Sequence, residues 1–228
     1  AEGRWLTGLA RQMGIDRGPI EQLSLLENQH GSPFDRLATQ PLRTVSGPLV
    51  TIIVTAYNPG QELLTALRSL RQQTWEDLEI LVVDDASDAD PSDLLAVAAA
   101  DDERIRIVRL PENGGTYRAR NVGLALATGE FVTFHDSDDW AHPRRTESQA
   151  LVLAQDPGAI VTLGEAIRLN PELELTSIGQ QTRRPNASSL MFVREAVLAR
   201  VGFMDESRKG ADSEYHLRIE HAFRKRAR

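Results

Sequence analysis

The chain has 228 residues, 41% of them hydrophobic, and a formal charge of −7 from 33 acidic and 26 basic side chains. That supports one α/β domain with a core of its own, and an acidic balance gives bulk electrostatics no pull toward nucleic acid. Cysteine is absent, which excludes disulfides and thiolate metal sites and fits a reducing, cytoplasmic setting. No apolar run is long enough for a membrane span, and no signal peptide is visible; contact with a membrane surface stays open. The chain starts and stops without obvious boundaries, as expected of a piece of something longer.

Residues 1–46 carry Trp5, Leu6 and Leu9, then Ile20, Leu23, Leu25 and Leu26, broken by Gly14, Gly18, Gly31 and Pro33. The spacing predicts two short helices in an extension or linker without chemistry of its own. From Leu49 to Thr55 a β-branched run predicts a buried central strand, closed by the turn residues Ala56-Tyr57-Asn58-Pro59-Gly60. Leu63, Leu64, Leu67 and Leu70 follow at helical spacing. Glu79–Val83 is a second strand ending at Asp84-Asp85. Asp90 and Pro91 then suit the cap and first position of a helix. Ile105–Val108 is a third strand. Asn113-Gly114-Gly115 leads into a helix from about Tyr117 to Thr128.

The next strand is Phe131-Val132-Thr133-Phe134, which runs into His135-Asp136-Ser137-Asp138-Asp139. Three carboxylates this close repel one another, and a hard divalent cation with oxygen ligands would offset them. The bland alternative is an acidic turn capping the helix that begins at Pro143. Beyond it the pattern is less regular: strands at Ala159–Leu163 and Ser188–Val193, a polar stretch between them, and a helix from Glu195 to Val201. A turn at Gly210 feeds a last helix with Tyr215, Ile219 and Phe223 on one face, and a basic tail follows.

Strand–helix alternation predicts a doubly wound, mostly parallel sheet with helices on both faces. Its polar strand ends, Tyr57-Asn58, Asp84-Asp85 and Asp136–Asp139, would meet in a nucleotide-type crevice. Neither a Gly-x-Gly-x-x-Gly fingerprint nor a P-loop is present.

In order and spacing, Val50 to Asn58, Val82 to Ser87, Asn113-Gly114-Gly115 with Ala119-Arg120-Asn121, and Asp136-Ser137-Asp138-Asp139 resemble the family-two glycosyltransferases of GT-A fold. The resemblance is strong over residues 49–145 and moderate over 186–220, and implies a domain at 47–228 with a nucleotide-binding half (47–145) and an acceptor-side half (146–228). It implies an inverting enzyme that uses a nucleoside-diphosphate sugar, most simply a UDP-sugar, and a hydroxyl acceptor on a glycan, lipid or small molecule.

The resemblance implies roles residue by residue. Ala56, Tyr57 and Asn58 would lie along the nucleotide, with the Tyr57 ring on the base. Asp85 would accept from a uracil N–H, with Gly115 on the adjoining turn. Arg118 or Arg120 would approach the pyrophosphate, or else pair with nearby acids. Asp136 would reach the ribose or the metal, beside Ser137, and Asp138 would bind Mn2+ or Mg2+. Asp139 would sit near the sugar. His135 suits packing better than ligation, and His216 or His221 could complete a metal site but more often simply packs.

Inverting transfer needs a base for the acceptor proton. The matching acidic stretch is Gly210-Ala211-Asp212-Ser213-Glu214, with Ala211 in place of the family's first acid. Asp212 is the expected base and Glu214 the second choice; the bland reading makes both a helix cap and first-turn acids. No Gln-x-x-Arg-Trp follows, which argues against a processive synthase. A pyrophosphorylase would show a Gly-rich basic loop after the first strand, and a receiver domain would not show a triple acid. The alternative to an active enzyme is a catalytically degenerate domain that binds the donor within a larger protein.

Overall fold

The computed structural model describes residues 23–27, 31–40, 42–88, 92–100, 102–176, 182–207 and 209–223. The helix expected near residues 5–9, the Asp90–Pro91 cap and the basic tail at 224–228 lie outside the described residues. The second upstream helix is corrected. Leu23–Leu25 is a short strand, β1, paired antiparallel with β2 (Leu37–Thr39). Leucines two apart serve a strand as well as a helix, and here Leu23 and Leu37 bury themselves against Leu173.

The main sheet holds β3 (Val50–Ala56), β4 (Leu78–Asp84), β5 (Ile105–Arg109), β6 (Phe131–Asp136), β7 (Val161–Ile167) and β8 (Arg183–Val193), in the order β5-β4-β3-β6-β8-β7. The first four run parallel, β8 runs antiparallel to β6, and β7 antiparallel to β8. The helices are α1 (Glu62–Arg71), α2 (Ser92–Ala99), α3 (Thr116–Leu126), α4 (Arg145–Gln155), α5 (Arg194–Arg200) and α6 (Ala211–Phe223).

Every residue of β3 is buried, and successive side chains go to opposite faces. Val50, Ile52 and Val54 meet Leu63, Leu67 and Leu70 of α1, Leu95 of α2 and Leu153 of α4. Ile53 faces the other way, with Ala119 and Leu124 of α3, Val197 of α5 and Tyr215 and Ile219 of α6. Both faces are thus covered, which is why the parallel strands read as continuous apolar runs.

The chain moves outward from β3 to β4 and β5, then returns to place β6 on the other side of β3. Adjacent parallel strands whose crossovers leave in opposite directions open a crevice at their C-terminal ends. The register pairs Ala56 with Asp84 and Thr55 with Asp136, so the three polar strand ends reach one edge together.

Candidate active site

The two acids after β4 have different work. Asp84 is fully buried; its Oδ1 accepts from the Ser87 hydroxyl at 2.5 Å and the Ser87 N–H at 3.2 Å, and its Oδ2 lies 3.3 Å from Arg109 Nε. It builds the turn. Asp85 accepts from the backbone N–H groups of Gly114 (2.9 Å) and Gly115 (2.7 Å), while its carbonyl accepts from Asn113 Nδ2 at 3.1 Å. Gly115 has φ +86° at the N-terminus of α3, a conformation glycine adopts without penalty. Asp85 therefore fixes the Asn-Gly-Gly turn, and each carboxylate oxygen keeps a second lone pair for a ligand.

Tyr57 is 48% exposed, and its hydroxyl donates to Asp88 at 2.6 Å. Asn58, at φ +48°, donates through Nδ2 to the same carboxylate (3.1 Å) and accepts the Asp88 N–H at 2.9 Å. The ring is thus held by its hydroxyl with a face open, as stacking on a base requires.

At the end of β6, His135 is buried and accepts from Arg145 Nη1 through Nδ1 at 2.9 Å. Arginine only donates, so Nε2 carries the imidazole proton and donates to the Asp139 carbonyl at 3.2 Å. Burial, and then the Arg145 charge, push His135 down to about 3, so it is neutral. It packs and pins the acidic turn. Arg145 is anchored in turn on Thr133 Oγ1 (2.8 Å) and the Phe134 carbonyl (2.7 Å). Asp139 is pushed up to about 6 by burial and by the charges of Asp136 and Asp138.

The structure separates the two arginines. Arg118 pairs outward with Glu112 at 2.9 Å. Arg120 is 2% exposed, lies over the rings of Phe134 and Tyr117, and donates to Asp136 Oδ1 at 2.6 Å. Its Nη1 stands 3.9 Å from Asp212 Oδ2, so one buried guanidinium joins the two acidic motifs. Asp212 also accepts from the Tyr117 hydroxyl (3.2 Å) and Ser188 Oγ (3.3 Å), and Tyr117 accepts the Gly210 N–H at 3.1 Å. Ala211 is buried where the family pattern has an acid. Glu214 is turned away, in an i,i+4 pair with Arg218 at 2.8 Å. His216 faces Glu220 at 3.7 Å on the same helix.

A cleft of about 190 Å³ is lined by Ala56, Tyr57, Asp85, Asp136, Ser137 and Asp138, along with Thr55 and Thr116. A larger cavity of about 450 Å³ begins on the other side of Asp138 and Asp139 and runs between α4, β7 and β8. Asp138 belongs to both. Asp212 adjoins the cleft through Arg120 without lining it. Tyr117 and Ser188, which touch Asp212, belong to no motif in the sequence; Tyr117 is the more legible, beside the Gly-Gly turn and one helical turn before Arg120. Phe34 and Leu37, from the upstream segment read as lacking chemistry, line the larger cavity.

Among the described residues no group of three or more carboxylates and imidazoles converges as a metal cage. Asp136 spends one oxygen on Arg120, and both Asp136 and Asp138 line the cleft. A hard cation that keeps water and phosphate oxygens needs only one or two carboxylates; Asp139 is raised first by burial and second by its acidic neighbours, and an ion would relieve only the second. The oxygen donors present fit a hard divalent cation such as Mn2+ or Mg2+.

The profile of Glycosyl transferase family 2 matches residues 51–195. The succinoglycan biosynthesis protein ExoO of Rhizobium meliloti (strain 1021) is 35% identical over 144 residues, covering 59% of this chain and 40% of ExoO. The chain spans less than half the length of the curated relatives it matches. Among solved structures, S. aureus TarS in complex with UDP-GlcNAc superposes with a TM-score of 0.56 at 22% identity, over 77% of this chain and 53% of that one. The mannosyltransferase PcManGT of Pyrobaculum calidifontis, in complex with GDP-Man and Mn2+, gives 0.58 at 23% identity, over 94% and 59%. These likenesses establish the fold. With the profile spanning β3 to the start of α5, the chain belongs to Glycosyl transferase family 2.

Proposed function

We propose that this chain is a metal-dependent, inverting glycosyltransferase that moves a sugar from a nucleoside-diphosphate sugar, preferentially a UDP-sugar, to a hydroxyl acceptor. The observation that carries the reading is the convergence of Tyr57, Asp85, Asp136 and Asp138 on one cleft, with Arg120 linking Asp136 to Asp212. A nucleotide in the cleft would bring its diphosphate to Asp136 and Asp138. Tyr57 stacks on the base, Asp85 accepts the uracil N–H, and Asp136 and Asp138 hold the cation. When bound, that cation offsets charge on the departing diphosphate.

Asp212 is the base. The acceptor oxygen attacks the anomeric carbon, the bond from that carbon to the phosphate oxygen breaks, and the acceptor proton passes to Asp212. Tyr117 and Ser188 hydrogen-bond the carboxylate and Arg120 stands beside it, and these contacts aim it. The succinoglycan role in ExoO's name favours a glycan acceptor.

The test is UDP release from a panel of UDP-sugars with Mn2+, in wild type and Asp212→Asn. Turnover lost by about 10²–10⁴-fold with UDP affinity retained supports the base. Equal turnover in both proteins removes Asp212 from that role. A wild type that binds UDP and never turns over would favour the degenerate donor-binding domain, which the buried Ala211 also fits.

A further inference from the structure

The segment between α5 and α6 delivers Asp212, and it is held through side chains. Among the described residues, 203–209 make no backbone–backbone hydrogen bond. A backbone without its own ladder takes its position from the side chains that meet its N–H and C=O groups. Met204 is the fixed point. Its side chain is buried in the core against α3 and α6, and its backbone is met by one amide. Asn121 accepts the Met204 N–H through Oδ1 and donates through Nδ2 to the Met204 carbonyl, both at 3.0 Å. An asparagine amide offers that acceptor and donor side by side, as a neighbouring strand would.

The same helix holds the other end of the segment. Tyr117 stands four residues before Asn121 on α3, so the two share a face. Its hydroxyl accepts the Gly210 N–H at 3.1 Å and donates to Asp212 Oδ1 at 3.2 Å. From α6, Tyr215 donates to the Gly202 carbonyl at 2.7 Å, and Arg218 donates to the carbonyls of Val201 and Phe203 at 3.0 Å each. Those bonds fix the start of the segment to α6 itself. Asn121 and Tyr117 tie it instead to α3, whose N-terminus Asp85 holds through Gly114 and Gly115. The same helix carries Arg120, the guanidinium between Asp136 and Asp212. One helix therefore sets where Asp212 stands relative to the donor cleft.

We propose that Asn121 is a positioning residue for the reaction. Its amide fixes the 203–210 segment on α3 and so sets the place of the Asp212 carboxylate relative to the donor cleft. Asn121 does not line that cleft, and it acts through Met204 and the segment that follows. A base must come within hydrogen-bond reach of the proton it takes, and a displacement of about 1 Å costs up to about 10²-fold in rate. The inference rests on the assignment of Asp212 as the base.

The test is UDP release, with Mn2+, from the UDP-sugar that wild type hydrolyses fastest. Water is the acceptor: its oxygen attacks the anomeric carbon, the bond to the phosphate oxygen breaks, and its proton passes to Asp212. The proteins are wild type, Asn121→Ala, Tyr117→Phe and the double variant. Asn121→Ala is expected to lower kcat about tenfold, with the KM for the UDP-sugar and the affinity for UDP within about twofold of wild type. Because Asn121 and Tyr117 hold one segment, the double variant should lose clearly less than the product of the two single losses. Gly129→Ala, at the opposite end of β6 from the acidic turn, is the stability control; it should lower Tm and leave kcat unchanged below the transition. An Asn121→Ala kcat within about twofold of wild type, a fall that Gly129→Ala matches, or single losses that multiply in the double variant overturns the role. Should Asn121→Ala fail to fold, seen as lost UDP binding, Asn121→Asp decides. It keeps the acceptor for the Met204 N–H and loses the donor, so its kcat should fall while KM holds, and a kcat equal to that of wild type overturns the role. A wild type without turnover, or Asp212→Asn with full turnover, instead removes the base reading and this one with it.

Discussion

Removing Asp136 should cost far more stability than removing its partner. Arg120 is 2% exposed, and its 2.6 Å bond to Asp136 is its closest charge compensation. Asp136→Ala strands a buried guanidinium, a change worth about 3–5 kcal/mol. Asp136 is itself a third exposed, and Asp212 remains 3.9 Å from the guanidinium, so the lower end, about 3 kcal/mol, applies. Arg120→Met removes the cation instead, refills the space over Phe134, and leaves two partly solvated carboxylates; it should cost roughly 1–2 kcal/mol. The double variant should then resemble Arg120→Met alone. Urea unfolding of the three proteins measures this as a cycle, and Asp136→Ala should also lower Tm by about 6–12 °C. Additive costs, or an Asp136→Ala cost below about 1 kcal/mol, would refute the buried-pair reasoning.

Gly129→Ala should destabilise the chain by about 3 kcal/mol, because a Cβ there would lie 2.6 Å from the Thr51 nitrogen and 2.8 Å from the Leu49 and Phe131 carbonyl oxygens; denaturant titration reads it directly. Glu214→Gln should leave turnover within about threefold, unlike Asp212→Asn, since Glu214 is paired with Arg218 away from the cleft; steady-state kinetics compare the two. In acid, the hydrogen bond from Arg104 holds the Asp102 carboxyl below its ordinary 3.8. The folded chain keeps Asp102 ionised where the unfolded chain takes up the proton, so its contribution is full above 3.8 and fades as pH falls through the lowered value. The stability gap between wild type and Asp102→Asn should therefore hold steady down to about pH 5 and shrink as the pH falls below about 3.8, as measured by urea midpoints.

Much of the fold was legible because its strands are buried on both faces. Leu49–Thr55 and Glu79–Val83 read as strands, closed by Ala56-Tyr57-Asn58 and by Asp84-Asp85, and the structure places them side by side as Val50–Ala56 and Leu78–Asp84. The reversal at β8 left no comparable mark. Its burial runs from exposed at Arg183 to buried at Ser189–Phe192, so only the last half looked like a strand. Leu23–Leu25 failed for a different reason: three residues carry no period, and pairing with β2 decided the conformation. Within the candidate site, the strand ends could be placed from sequence because parallel topology brings them to one edge. The partition of Arg118 and Arg120 could not, since it depends on which face of α3 meets Phe134. Phe34 escaped notice because its role comes from a long-range contact with Trp140 and Leu169 that no local pattern encodes.

The central claim is metal-dependent donor binding at Asp138, and calorimetric titration of UDP addresses it most directly. With Mn2+ the wild type should bind UDP, EDTA should abolish the heat, and Asp138→Ala should lose the metal-dependent part. UDP binding that is identical in EDTA and in Asp138→Ala would contradict the metal assignment, and no binding under either condition would contradict the uracil role of Asp85.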